Sequence, residues 1–418
     1  MLIVLFVQTL RRTASDWQQV YVEAGRRFIA GRDFYTEGIG YAYPPFMAIV
    51  AAPLAMVPEW VSRITWCAFS ALAMVVMIAG AWRLANGSSL NRIFLASRRE
   101  QYAFACGLAV SLGFIFNALA YQQTDVLIGG LLIAGALWLR KGSEAGGAFI
   151  GLAAACKATP LLWAPYLVWR RQRVAGALVV IVAVAVNLLP DLIAPSPNGG
   201  WWIQGWIDNF IRPTQRFDAP LGIWASAIEH NQSLGGTIER LVNTKFVFFP
   251  TPVIEGRPLV DAVALKTIVY ITFVLLVVIS ITVAARAQRA KPFPSSLPER
   301  KSYEFSMVLI LMLMLSPMSS RAHFGTLVLP GFCLARFAFT TRDRAISAIL
   351  LLVVLLVAPP YKYLVPENIS SALLWGGAAT DAAMLLWVGC VVVLSRYGTE
   401  KIRSNEVANS VRKQAIAG

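Results

Sequence analysis

The feature that most restricts this chain is its succession of apolar runs. They lie at about 43–58, 61–83, 101–119, 124–139, 146–168, 174–193, 260–285, 303–318, 326–340, 346–363 and 373–395, and the stretch Met1 to Leu10 makes a twelfth candidate. Crossing a hydrocarbon core of roughly 30 Å takes about 20 residues of helix. Only a helix or a closed barrel satisfies every backbone N–H and C=O there without water. Charged residues are correspondingly scarce, 14% of 418, against about 25% in a soluble chain. A soluble globule and a disordered chain are both excluded. The pattern predicts an all-α polytopic membrane protein, a single domain over 1–418, built as a bundle of about 10–12 transmembrane helices.

Some runs are marginal spans. Pro44, Pro45 and Pro53 interrupt one, and Lys157-Ala158-Thr159-Pro160 interrupts another. Broken backbone at membrane depth survives only where protein or a water-filled cavity covers it. Met1 to Leu10 is too short to span at about 1.5 Å per residue; it reads as the remnant of a truncated first helix, not as a cleavable signal.

Charge supplies an orientation. Lys and Arg number 37 against 22 Asp and Glu, a net +15. The basic residues cluster between apolar runs: Arg98-Arg99, Arg140-Lys141, Arg170 to Arg173, Arg286 to Lys291, Arg342 to Arg344 and Arg396 to Lys413. That is the distribution of cytoplasmic loops against anionic lipid, and it argues against nucleic acid as a partner. It places loops 11–42, 196–258, about 317–325 and 364–372 on the outer face, and the tail 396–418 in the cytoplasm. Twelve crossings would put Arg92, Arg98 and Arg99 outside, against the positive-inside rule. If 43–58 and 146–168 are re-entrant hairpins, those arginines return to the cytoplasm and the count falls to ten.

The outer loops hold the chemistry. Asp16, following Ser15 in a loop dense in aromatics, fits two roles: cap of the next helix, or general base facing an external cavity. Lys157 sits inside an apolar run, where an ionisable group is a functional candidate by default, although its long stem can snorkel to an interface. His323, one of two histidines, follows a helix-ending Ser316-Pro317; it is a solvent-facing turn residue or a contact to a phosphate or acceptor. Arg321 beside it is a phosphate ligand or a headgroup anchor. Asn231 and Gln232 offer donors and acceptors for sugar hydroxyls or for ordering their own loop. Trp201, Trp202, Trp206 and Trp224 read first as an interfacial belt. Cys67, Cys106, Cys156, Cys333 and Cys390 lie in apolar segments without CxxC spacing, so neither disulfides nor zinc are expected. No outer pair of acids suggests a metal, no Gly-rich loop suggests a nucleotide, and no cofactor is expected.

Several motifs occur in a telling order. They are Asp16-Trp17 with Tyr21, Gly31-Arg32-Asp33-Phe34-Tyr35, Tyr43-Pro44-Pro45-Phe46, Gln122-Gln123-Thr124-Asp125, Gly151 to Lys157-Ala158-Thr159-Pro160, Asn231-Gln232-Ser233-Leu234 with Arg240, and Ser316-Pro317-Met318-Ser319 with His323. Together they resemble glycosyltransferase family 87, membrane-embedded type C enzymes that include polyprenol-phosphate-mannose-dependent α-mannosyltransferases. Ser320 and Ala322 depart from that family's Trp and first His. The resemblance implies inverting transfer of a hexose, mannose first, from a polyprenyl-phosphate donor to a lipid or glycan acceptor at an outer-face active site of the cell (inner or plasma) membrane. It further implies Asp16 as base, His323 beside the leaving phosphate, and Tyr21, Tyr43, Lys157, Asn231, Gln232, Arg240 and Arg321 around the substrates.

Two other functions compete. A lipid-linked sugar flippase or carrier would use broken helices and an intramembrane lysine, although no second copy of the Tyr-Pro-Pro or Lys-x-x-Pro stretch occurs. An outer-face glycan ligase or polymerase would lean on outer arginines, and 196–258 offers only Arg212, Arg216, Arg240 and Arg257.

Overall fold

The computed structural model describes residues 15–35, 38, 40–215, 228–243, 260–289, 293–357 and 366–396. The residues Met1 to Leu10, Arg11, Arg12, Arg216, Trp224, Arg257 and the tail beyond Arg396 lie outside that set. Every regular element among the described residues is helical. In chain order the principal helices are α1 (Glu23–Ile29), α2 (Phe46–Ala55), α3 (Glu59–Leu84), α4 (Arg98–Ala120), α5 (Asp125–Arg140), α6 (Gly146–Cys156), α7 (Trp163–Trp169), α8 (Arg173–Ile193), α9 (Leu234–Asn243), α10 (Ala262–Gln288), α11 (Arg300–Leu315), α12 (Val328–Thr341), α13 (Arg344–Val357), α14 (Glu367–Gly376) and α15 (Ala378–Arg396). Six segments are long and apolar enough to cross a membrane: α3, α4, α8, α10, α15 and the stretch Arg321–Thr341 that ends in α12.

Outward-facing apolar side chains on α3, α8 and α10, such as Leu72, Ile181 and Val274, are exposed. In water such surface would be costly, and in lipid it is the contact the helix needs. The centre is dense. Gly107 and Gly331 let α4 and α12 meet backbone to backbone: a Cβ on Gly331 would come within 2.7 Å of the Gly107 carbonyl oxygen. Small residues at such crossings are how membrane helices gain packing without a hydrophobic drive.

Contacts between helix ends separate the bundle into two poles. At one, Asn86 Nδ2 donates to the Leu297 carbonyl, Ser302 Oγ to the Leu84 carbonyl, and Arg140 Nη1 to the Arg83 carbonyl. Arg336 lies 3.9 Å from Glu100, and Arg396 pairs with Asp343. This is the basic pole, and the loop from Leu84 to Arg98 belongs to it. The opposite pole gathers residues 15–22, 121–125, 228–240, 316–323 and 374–380.

This sidedness bears on the two candidate hairpins. Gly146 packs on Gly135 and Leu139 near the basic end of α5. Arg170 pairs with Glu304 in the first turns of α11, at the same pole. Residues 146–169 therefore rise and return as a helical hairpin whose tip is Lys157. Likewise α2 begins and ends at the opposite pole: Phe46 N–H donates to Asn187 Oδ1 near the end of α8, and Ser62, just after α2, accepts from Trp17 Nε1. Among the described residues, 46–55 and 146–169 thus turn back as hairpins, and Arg92, Arg98 and Arg99 lie at the same pole as the other basic loops.

Candidate active site

The site is built where four segments meet at the pole opposite the basic one. The chain enters it at Ser15 and Asp16. Ser15 Oγ accepts from Gln18 N–H at 3.3 Å and Ser15 C=O from Gln19 N–H at 3.0 Å, so Ser15 caps the turn that follows. Asp16 makes no cap hydrogen bond. Its amide donates to the Tyr121 carbonyl at 3.1 Å, and its carboxylate accepts from Gln123 Nε2 at 2.6 Å. The capping role considered for Asp16 belongs to its neighbour, which leaves the carboxylate free for the α4–α5 turn.

That turn is tight. Gln122 takes a left-handed φ of 54°, a conformation rare outside glycine and retained only where the surroundings enforce it. Trp66 Nε1 enforces it by donating to the Gln122 carbonyl at 2.9 Å. The reversal points Gln123 at Asp16 and starts α5 with Asp125. Trp66 in turn stacks on Trp17 with ring centroids 3.7 Å apart.

From Asp16 a polar chain runs inward. Gln123 Oε1 accepts from Ser320 Oγ at 3.3 Å. The Ser320 amide donates to His323 Nδ1 at 2.8 Å. With Nδ1 an acceptor, the ring proton of a neutral imidazole is on Nε2, which faces Asp125 Oδ1 at 3.5 Å. The same oxygen pairs with Lys157 Nζ at 3.2 Å. Lys157 reaches it because α6 ends at Cys156 and the backbone extends at Lys157 (φ −157°, ψ 128°) before the next turn starts at Thr159.

Asp125, Lys157 and His323 line a small hollow together with Ser316, Ser319 and Thr326. Its volume of about 10 Å³ holds roughly one water and no sugar ring. It is the polar floor of the site. Asp125 Oδ2, Ser319 Oγ and Thr326 Oγ1 are buried there without hydrogen-bond partners among the described residues. Asp16, by contrast, is half-buried. Burial holds its carboxyl above the usual carboxylate range, the Gln123 hydrogen bond works the other way, and the charge of Asp125 raises it further.

The aromatic candidates join this cluster. Tyr21 hydroxyl bonds Thr124 Oγ1 at 3.1 Å, and its ring lies 4.7 Å from that of Tyr43. Other candidates stand one step back. Gln232 N–H donates to the Ser319 carbonyl at 2.7 Å, and Asn231 Oδ1 accepts from Ser233 N–H at 3.1 Å. Gln232 Nε2 donates to the Leu374 carbonyl. Arg240 is fully buried, its guanidinium donating to the carbonyls of Trp375, Ile228 and Asn231. These three hold the 316–323 segment against α14. Arg321 turns from the hollow and lies over the Phe114 ring at 5.9 Å.

Sequence reasoning passed over Asp125. The available signal was an acid opening an apolar run with a lysine inside another, since intramembrane charges pair. Among the described residues no group of three His, Cys, Asp or Glu side chains is arranged to hold a metal ion.

Comparison with known proteins adds the following. The model of glycosyltransferase family 87 matches residues 41–317, more than half of the chain. The match includes Tyr43, Asp125, Lys157, Asn231, Gln232 and Arg240, and leaves Asp16, Tyr21, Arg321 and His323 to either side. A polyprenol-phosphate-mannose-dependent alpha-(1-2)-phosphatidylinositol mannoside mannosyltransferase of Mycolicibacterium smegmatis is 25% identical over 246 residues, covering 53% of this chain and 51% of that protein. A polyprenol-phosphate-mannose-dependent alpha-(1-2)-phosphatidylinositol pentamannoside mannosyltransferase of Mycobacterium tuberculosis is 29% identical over 154 residues, covering 36% of this chain and 33% of that one. The chain thus spans about half the length of the first relative and a third of the second. The crystal structure of ArnT from Cupriavidus metallidurans bound to undecaprenyl phosphate aligns with a TM-score of 0.43 at 15% identity, over 96% of this chain and 76% of that one.

Proposed function

Because the chain belongs to glycosyltransferase family 87, we propose that it transfers a hexose, mannose first, from a polyprenyl-phosphate donor to a lipid or glycan acceptor at the pole that carries Asp16. The observation that supports this best is the separation of charge along one polar path, hydrogen-bonded from Asp16 to His323 and continued by close contacts at Asp125. A half-buried carboxylate, Asp16, stands at one end, and a partly buried cation, Lys157, stands at the other, against the buried Asp125. A displacement at an anomeric carbon needs both. The acceptor hydroxyl attacks C1 and its proton passes to Asp16. The C1–O bond to phosphate breaks, the bonding pair leaves with the polyprenyl phosphate, and the sugar inverts. Lys157 and the Nε2–H of His323 stabilise that departing charge, and a charge-assisted contact gains strength as the charge develops.

The remaining residues follow from these roles. Gln123 orients the base. Asp125 neutralises Lys157 while no phosphate is present and keeps the imidazole proton on Nε2. Tyr21 and Tyr43 pack against each other, and Tyr21 against Thr124, behind the Asp16 segment. Asn231, Gln232 and Arg240 fix the Ser319–His323 turn, and Arg321 is a reserve cation at its edge. With the basic pole cytoplasmic, the site faces the outer side, where a donor has to arrive on a lipid carrier.

The test is transfer of label from a polyprenyl-phosphate-hexose panel to membrane glycolipid in vesicles. Asp16→Asn should lower transfer by at least 100-fold while insertion persists, since a positioned base contributes about 10²–10⁴-fold. More than a tenth of wild-type activity in that variant would overturn the base assignment. Movement of the donor across the bilayer without transfer to any acceptor would favour a flippase instead.

A further inference from the structure

A second cavity lies apart from the Asp125 hollow and is of different character. It has a volume of about 210 Å³ and is lined by polar side chains, among them Asp33, Asn198, Gln204 and Asp208, with Trp201 at its side. One wall comes from Asp33 and Tyr35 and the other from residues between Ser196 and Asn209. The walls are tied together: Asn198 Nδ2 donates to Asp33 Oδ2 at 2.7 Å, and Trp206 Nε1 donates to the Ala42 carbonyl at 3.1 Å. Asp33 Oδ1 accepts from Tyr35 N–H at 2.9 Å, which fixes the carboxylate from the other side.

Three observations define what fits. The volume is some twenty times that of the hollow at Lys157, so a sugar ring that the hollow excludes has room here. The lining offers carboxylates and amides, of which Asp33, Asn198 and Asn209 are held by protein hydrogen bonds, and such groups match hydroxyls that both donate and accept. Trp201 is 54% exposed, and an indole face takes the C–H side of a pyranose. The charge selects further: the described lining holds the carboxylates Asp33 and Asp208 and no basic side chain, while Arg212, outside it, is paired with Asp208 at 2.8 Å and Arg27 Nη1 donates to the Asp33 carbonyl at 3.4 Å.

An aromatic ribbon joins the cleft to the base. Tyr35 hydroxyl donates to the Tyr43 carbonyl at 3.2 Å. The Tyr43 ring lies tilted against Tyr21 at 4.7 Å, and Tyr21 stacks beside Trp17 at 5.7 Å, next to Asp16. We propose that this cleft is the subsite for the neutral glycan portion of the acceptor, with Trp201, Asn198 and Gln204 as its specificity contacts. The proposal rests on the glycosyl-transfer reading for its place in the reaction. Its chemistry can be tested without that reaction.

The test uses the full chain in lipid nanodiscs and a fluorescein-labelled α-mannobioside, followed by anisotropy. The wild type should bind the probe. Trp201→Ala, an exposed position that leaves the core intact, and Asn198→Ala should each weaken binding at least tenfold. Unlabelled mannobiose should compete and inorganic phosphate should not. In the transfer assay the same variants should raise acceptor KM while donor KM and kcat stay near wild type. Absence of binding, unchanged binding in both variants, or displacement by phosphate would overturn the subsite. Probe binding by a protein that transfers nothing would uphold the subsite and sink the proposed reaction.

Discussion

Lys157→Met is the most informative single change. Methionine keeps most of the stem and removes the charge, so Asp125, 7% exposed, loses its partner at 3.2 Å and keeps only His323 at 3.5 Å. Removing one member of a buried pair typically costs about 3–5 kcal/mol, because the remaining charge stays desolvated and uncompensated. The lower end applies here, since His323 remains and the carboxylate can take up a proton. A loss of about 3 kcal/mol is therefore expected in SDS-driven unfolding followed by tryptophan fluorescence. Adding Asp125→Asn removes the orphaned charge, so the double variant should recover most of that stability. Transfer should remain at least tenfold down in the double variant, because the Lys157 charge no longer meets the departing phosphate. The pair is thereby separated into a folding part, which the second change restores, and a chemical part, which it does not. A single-variant loss no larger than a surface pair produces, about 1 kcal/mol or less, would refute the energetic argument. Recovery of transfer in the double variant would refute the role of Lys157.

Three further outcomes are expected. Gln123→Leu removes the hydrogen bond that opposes the burial of Asp16; the carboxyl then rises further, its base form is lost at a higher pH, and the acidic limb of kcat/KM moves upward, whereas an unmoved limb would show that another group titrates there. His323→Ala should lower turnover at least tenfold with little change in acceptor affinity, and a near-normal rate in single-turnover measurements would make the Ser320–His323 turn purely structural. Cysteines placed at the exposed Arg32 and His230 in a background lacking the native cysteines should label from one side and a cysteine at Ser404 from the other; labelling of the 230 and 404 positions from the same side would overturn the orientation.

The helices were legible in the sequence and their pairing was not. The runs 61–83, 101–119 and 174–193 become α3, α4 and α8 with ends shifted by only a few residues, because about 20 apolar residues have one stable answer in a bilayer. The prolines near 44–53 and at 160 marked the two segments that fail to cross. Placing them as hairpins needed contacts such as Asn86 to Leu297, which join residues two hundred positions apart. The same limit applies to the site. Asp16 and Lys157 were visible as charges in unusual places, but their partners Gln123 and Asp125 look like an ordinary polar turn opening a helix. Arg240 looked like a substrate cation and instead spends its donors on three backbone carbonyls, an arrangement no local pattern encodes. What a sequence of this kind can offer is a charge inventory: Asp125 and Lys157 are opposite in sign and each borders or interrupts an apolar run. Burying either alone is far more costly than burying both in contact. The pairing therefore follows from energetics once the two helices are neighbours, and only the neighbourhood of α5 and the α6–α7 hairpin had to come from the structure.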